Sequence, residues 1–299
     1  MITLRKADST PAEFELKERS RSAWKAGAQV MKSVLRAIEE SLGMTEGVLV
    51  RMVGPQAEMP KEGEENFATL LRMFRYDRPT SEASGSPVAP RVVAEPHRDL
   101  GLLTLVIGHT PGLECWDPVS EKWIACEDAS QSDASSTNVH LTATLLVGQT
   151  LAKFTNWRYI AGRHRVSVNP VPVSTDSSNP TVSPLSNPNY RYSLVHALRA
   201  HLPVIVSSSE FTTPITGLIP LNLQFTNVSV ADIYSGISAS HWNVNIGVQE
   251  RRRQEKEVQG RMRKGRQVEV RTNHSGSRVE WLKKLLRFSR WRKTESAIS

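Results

Sequence analysis

The segment "EPHRDLGLLTLVIG", residues 95–108, places His97 and Asp99 two positions apart just ahead of an apolar run from Leu102 to Ile107. Side chains at i and i+2 of an extended chain project to the same face. An imidazole and a carboxylate placed this way offer two ligands to one metal ion, and a third has to come from elsewhere. The best candidate is His164 in "GRHRVSVNP" (162–170), a strand-like segment that a jelly roll can return beside the first. Two imidazoles and one carboxylate on one face of a metal leave three positions open, the arrangement of non-haem Fe(II) oxygen chemistry. By itself a His-x-Asp pair is a weak signal, and an isolated strand histidine is commonly structural.

Around this segment the pattern is one of short strands. "FATLLRMFRY" (67–76), "RVVAEPHRD" (91–99) and "LLTLVIG" (102–108) are followed by "GLECW" and "KWIAC", which flank the turn signal Asp117-Pro118-Val119-Ser120. "NVHLTATLLVG" (138–148), "GRHRVSVNP" and "YRYSLVHAL" (190–198) complete the set, with one short helical piece, "QTLAKFTN", between the first two. Pro/Ser-rich loops separate them at 77–90, 127–138 and 170–189, and 54–66 reads as a polar loop. Hairpin turns without βαβ alternation indicate an antiparallel sandwich or barrel. Ahead of the strands, Trp24, Ala28, Met31, Leu35, Ile38 and Leu42 recur at three- and four-residue steps, predicting a helix from Glu15 to a stop at Gly43. Residues 207–246 carry mixed signals that assign no element.

The chain has 299 residues, 39% of them apolar and 23% charged, as in a soluble globular protein. It holds no apolar run near the roughly 20 residues of a membrane helix, and no secretory leader is evident. Two cysteines, Cys115 and Cys126, are too few for a disulfide framework, so free thiols and a cytoplasmic location are expected. The net charge of +8 belongs to the tail: residues 250–299 hold 16 Lys/Arg against 6 Asp/Glu, which leaves the rest close to neutral. The body therefore shows no electrostatic footprint for nucleic acid, and none is expected as a partner. Within the tail, "VEWLKKLLRFSRWRK" (279–293) gathers Trp281, Leu282, Leu285, Leu286 and Phe288 largely on one side of a basic helix. That pattern suits a membrane surface or a partner's groove, and equally a helix folded back on the body.

"PHRDLGLLTLVIGHTPGLECWDPVSEKWIAC", "VGQTLAKFTNWRYIAGRHRVSVNP" and the Arg-x-Ser of "RYS" (191–193) together resemble the isopenicillin N synthase-like branch of the 2-oxoglutarate/Fe(II)-dependent dioxygenases. The resemblance covers about residues 68–195. It implies a mainly β fold with flanking helices and a double-stranded β-helix (jelly-roll) core. His97, Asp99 and His164 would be the iron ligands; Arg191 and Ser193 would hold the distal carboxylate of 2-oxoglutarate. Tyr76 would also touch that co-substrate, or else be a core-edge tyrosine. Fe(2+), 2-oxoglutarate and O2 would together oxidise a C–H bond of a small organic molecule by hydroxylation, desaturation or ring formation. "RYSLVHALR" and "HWNVNIGVQERRRQ" resemble fungal members that tailor specialised metabolites.

The expected layout is an N-terminal helical region over 1–66, shorter than in relatives, and an oxygenase core over 67–206. A C-terminal segment over 207–249 would line the substrate pocket, and a basic tail would follow over 250–299. Arg98 and Arg165, each next to a ligand in sequence, should point away from the metal, while Trp116, Trp123 and Trp157 read as core or pocket wall. The sequence departs from the family pattern at Arg98, Leu100 and Gln149, none of which is a ligand position. Two alternatives stay open: an Fe(II) oxidase of the same fold that does not use 2-oxoglutarate, and an inactive shortened homologue that binds through its basic tail.

Overall fold

The periodic apolar positions of the first helix meet one another on its buried side. In the computed structural model, which describes residues 11–60, 68–79, 89–127, 143–171 and 189–239, α1 runs Pro11–Ser41. Trp24, Ala28, Met31, Leu35, Ile38 and Leu42 all lie on its buried face. The helix starts earlier than the periodicity predicts. It stops at Gly43, whose φ of +63° is the left-handed conformation that glycine adopts without a Cβ penalty. Just beyond, buried Glu39 accepts hydrogen bonds from the backbone N–H groups of Gly47 (3.0 Å), Leu49 and Val50 (2.9 Å). One carboxylate thus ties the chain after α1 back onto the helix. A 3₁₀ turn, Val50–Met52, precedes the segment expected as a polar loop, and a second, Gly54–Ala57, opens that segment.

The strands are β1 (Leu70–Asp77), β2 (Arg91–His97), β3 (Leu103–Gly108), β4 (Leu113–Asp117), β5 (Lys122–Ala125), β6 (Ala143–Val147), β7 (His164–Val168) and β8 (Tyr190–Leu198). They form two four-stranded antiparallel sheets in the orders β1-β8-β3-β6 and β2-β7-β4-β5. The antiparallel sandwich expected from the strand pattern forms, with the jelly-roll core that the family resemblance implied. A small apolar cluster of Val106, Leu113, Leu146 and Val166, with Tyr76, Ala94, Cys115 and Val195 against it, fills the space between the sheets.

Alternation along β8 explains how one sheet serves two sides. Arg191 and Ser193 are buried toward the opposite sheet, whereas His196 and Leu198, of the other parity, are buried beneath α1. α2 (Gln149–Phe154) begins where Gly148 passes against the Gly101 backbone. A Cβ on Gly148 would strike the Gly101 carbonyl, so this close approach admits only glycine.

Residues 207–239 are more ordered than their composition indicates. β9 (Ile205–Val206) pairs with β10 (Val228–Ser229), and α3 (Val230–Ser238) follows. The Ser229 hydroxyl caps α3 by accepting from the Asp232 N–H at 3.1 Å. Phe211, Phe225, Val230, Ile233 and Ile237 join Met31, Leu35, Leu49 and Phe154 in the main apolar core. This stretch is therefore part of the body that carries α1. The expectations for the tail, including the amphipathic segment 279–293, lie outside the described residues.

Candidate metal centre and carboxylate anchor

His97 closes β2 and His164 opens β7, and the two are direct partners in the antiparallel register. Such partners sit on one face, and the imidazole centroids are 4.3 Å apart. The register of β2 against β7 slips twice between Val92 and His97, and this irregularity is what brings the two histidines opposite each other. Asp99, in the bend after β2, completes the group. Its Oδ1 lies 3.8 Å from His97 Nε2 and its Oδ2 3.9 Å from His164 Nε2. The three ligand atoms all fall within 4.8 Å of one another, a span that one ion bonded at about 2.1 Å to each can bridge with modest closure.

Both imidazoles are oriented for this. His97 Nδ1 donates to the Glu95 carbonyl at 2.7 Å and His164 Nδ1 to the Gly162 carbonyl at 3.1 Å. A carbonyl can only accept, so each proton sits on Nδ1 and each Nε2 turns its lone pair toward the cluster. Burial lowers the His164 pKa, outweighing the opposing pull of Asp99, and this favours the neutral, ligating form. Asp99 Oδ2 is buried and has no hydrogen-bond partner among the described residues. A buried carboxylate oxygen without a donor is costly, and a cation at the centre of the three ligands would remove that cost. The donor set of two imidazoles and one carboxylate fits a divalent transition metal. The loop is further held from α2, where Gln149 donates its backbone N–H to the Asp99 carbonyl at 2.8 Å.

The neighbours of the ligands point elsewhere, as their parity requires. Arg98 Nε donates to the Ala161 carbonyl at 3.1 Å. Arg165 Nε donates to Glu114 at 2.6 Å, and its guanidinium lies 4.3 Å over the Trp123 ring. Trp116 and Trp123 are register partners with rings 5.4 Å apart. They share the parity of Glu114 and Arg165, opposite to that of Cys115 and His164. They therefore stack with Arg163 and Arg165 on the outer face of this sheet, where both are only half-buried. This corrects the reading of these two tryptophans as core or pocket wall.

Arg191 and Ser193 lie on β8, facing the metal-bearing sheet. Arg191 is wholly buried, Ser193 nearly so, and one guanidinium nitrogen donates to the Ser193 hydroxyl. Tyr76 is the register partner of Arg191 on β1, with its ring 5.8 Å from the guanidinium carbon and stacked on Phe74. Burial raises the Tyr76 pKa, so the phenol stays protonated.

A residue that sequence reasoning missed shares this site. Glu127, two residues after β5, places both carboxylate oxygens on Arg191 Nη2, at 2.8 and 2.9 Å, and also accepts from the Leu113 N–H at 2.8 Å. Its side chain is only 8% exposed, which makes the ion pair an interior one. Glu127 belongs to no motif and stands at the head of a Ser-rich stretch; only a lone carboxylate just past a strand end could have signalled it.

No protein-family model and no curated protein matches the chain. Solved structures do. The crystal structure of a full-length Neurospora crassa protein in complex with alpha-KG matches with a TM-score of 0.50 and 17% identity, over 76% of this chain and 57% of that one. The same protein with alpha-KG and 5-formyluracil matches with a TM-score of 0.51 and 16% identity, over 78% and 63%. This chain has the fold of a protein crystallised with alpha-KG. A Caulobacter crescentus protein described as of the 2OG-Fe(II) oxygenase family follows at 0.48 and 20% identity, over 74% and 59%. The chain thus spans 57%, 63% and 59% of the structures it matches. At these identities the likeness concerns the fold, and the chemistry rests on the residues above.

Proposed function

We propose that the protein is an Fe(II)- and 2-oxoglutarate-dependent dioxygenase that oxidises a C–H bond of a small organic molecule, in specialised-metabolite biosynthesis. The observation that carries this reading is the His97–Asp99–His164 group, with its unpartnered buried Asp99 oxygen, on the inner face of a jelly roll. The likeness to a fold crystallised with alpha-KG supports it.

In this reading His97, Asp99 and His164 hold the iron, which supplies oxidation by dioxygen coupled to decarboxylation of the 2-oxo acid. The histidines bind through Nε2 while the Glu95 and Gly162 carbonyls hold their rings in place. Arg191 and Ser193, bonded to each other, stand at the end of the site where a far carboxylate would be received, with Glu127 already on the guanidinium. Tyr76, protonated and beside Arg191, borders that end of the site. Leu113, Val166 and Val106 between the sheets keep water from the space in between.

Anaerobic titration of the protein with Fe(II) and then 2-oxoglutarate tests the reading, followed through the visible charge-transfer band of the chelate. A band that forms with the wild type and disappears in His97→Ala is the expected result. Folded protein that binds neither reagent overturns it. The Glu127–Arg191 ion pair favours a second reading, an Fe(II) oxidase of the same fold that needs no 2-oxo acid. Oxygen uptake independent of added 2-oxoglutarate identifies that case.

A further inference from the structure

The carboxylate anchor is already engaged by the chain's own groups. Each of the three guanidinium nitrogens of Arg191 has an internal partner. Nε donates to the Thr110 carbonyl at 3.1 Å, Nη1 to the Ser193 hydroxyl, and Nη2 to both oxygens of Glu127. The guanidinium therefore presents no vacant fork to an incoming carboxylate, and the serine expected to assist is bonded to the arginine itself.

The packing around the pair is specific to it. A Cβ on Gly108 would strike both Glu127 and Arg191, and one on Gly112 would lie 2.6 Å from Arg191 Nε. These two glycines leave room for the ion pair. The Leu113 N–H holds the second Glu127 oxygen, so the carboxylate has three donor contacts from two directions. The arginine side chain is 0% exposed and that of Glu127 8%. In such poorly solvated surroundings a second carboxylate beside Glu127 meets strong like-charge repulsion.

We propose that Glu127 is the co-substrate-selecting residue: it occupies the Arg191 anchor in place of a distal carboxylate, so 2-oxo acids with an uncharged tail bind about as well as 2-oxoglutarate. This rests on the reading of the centre as an iron site chelated by a 2-oxo acid. The chelating end of every 2-oxo acid is the same and meets only the metal centre. The tail end decides selectivity. A dicarboxylate gains the arginine only by displacing Glu127 from a buried pair, whereas an alkyl tail leaves the pair intact and adds no charge.

The test is anaerobic calorimetric titration of iron-loaded protein with 2-oxoglutarate and, separately, with 2-oxobutyrate. Wild type, Glu127→Gln and Glu127→Ser are compared, and circular dichroism confirms that each is folded. In wild type the two acids are expected to bind within about tenfold of each other, a difference below about 1.4 kcal/mol. Both variants should tighten 2-oxoglutarate by about tenfold or more and leave 2-oxobutyrate unchanged. A larger wild-type preference for 2-oxoglutarate overturns the proposal on wild-type protein alone, even if neither variant folds. Unchanged or weakened 2-oxoglutarate binding in folded variants overturns it too, while leaving the co-substrate reading intact. Iron-loaded protein that binds neither acid in any form sinks both.

Discussion

Asp99 is the residue on which the metal reading turns, because its Oδ2 is buried without a donor among the described residues and its two oxygens face the Nε2 atoms of His97 and His164. Asp99→Asn keeps the shape and removes the charge. Fe(II) affinity is expected to fall at least about 100-fold, read by metal titration, with the thermal midpoint held or raised once the unpaired charge is gone. Arg191 behaves differently. Arg191→Ala strips Glu127 of its cation and leaves an uncompensated buried charge, a loss of roughly 3–5 kcal/mol by chemical denaturation. Arg191→Ala combined with Glu127→Gln should recover part of that loss, and the double-mutant cycle separates the fold's need for the pair from the site's. The His-x-Asp pair and its candidate partner His164 could be read from residue identity and spacing, whereas Arg191 was named through the family resemblance of its Arg-x-Ser motif. Glu127 could not, since its significance lies in a contact 64 positions away along the chain.

Among the elements, α1 and the strands follow from local pattern. The apolar stripe of α1 and the alternation in β7 and β8 are each visible within ten or so residues. The slip of β2 against β7 is not visible, because register depends on what the partner strand offers. α3 escaped notice because "VADIYSGIS" mixes β-branched residues, serine and glycine, a poor helical stretch that gains its stability from packing Ile233 and Ile237 into the core. Two substitutions test how elements are joined. Glu39→Ala leaves three N–H groups after α1 without their acceptor and should cost roughly 3 kcal/mol, measured by urea unfolding. Gly148→Ala forces α2 away from the Gly101 backbone; a loss of about 1–3 kcal/mol is expected, accompanied by weaker metal binding because Gln149 holds the Asp99 loop.

At the scale of the whole molecule, α1 lies over the outer face of one sheet and buries His196 beneath Trp24, at a ring separation of 4.9 Å. Neither His196 nitrogen has a hydrogen-bond partner among the described residues, and burial pushes its pKa down to about 4. The folded protein then holds this imidazole neutral where the unfolded chain, with an ordinary value of 6.5, takes up a proton. Its contribution is fully present above about pH 6.5 and is lost as the pH falls toward about 4, by a total of about 3 kcal/mol. His196→Leu should flatten that part of the stability–pH curve, as thermal melts of both proteins between pH 4 and 7 would show. An equal slope in the two proteins would refute the assignment. The sequence by itself determined the strand and helix pattern, an antiparallel sandwich or barrel, and the His-x-Asp pair with its candidate partner His164, because periodicity, turn chemistry and motif spacing are local; the jelly-roll class came with the family resemblance. Tertiary structure alone decided that His97 and His164 face each other, that Trp116 and Trp123 stack outside, that 207–239 joins α1 in one core, and that Glu127 sits on Arg191. Each of these depends on which distant segments share a face, and in a sheet a one-residue change of register reverses every side chain.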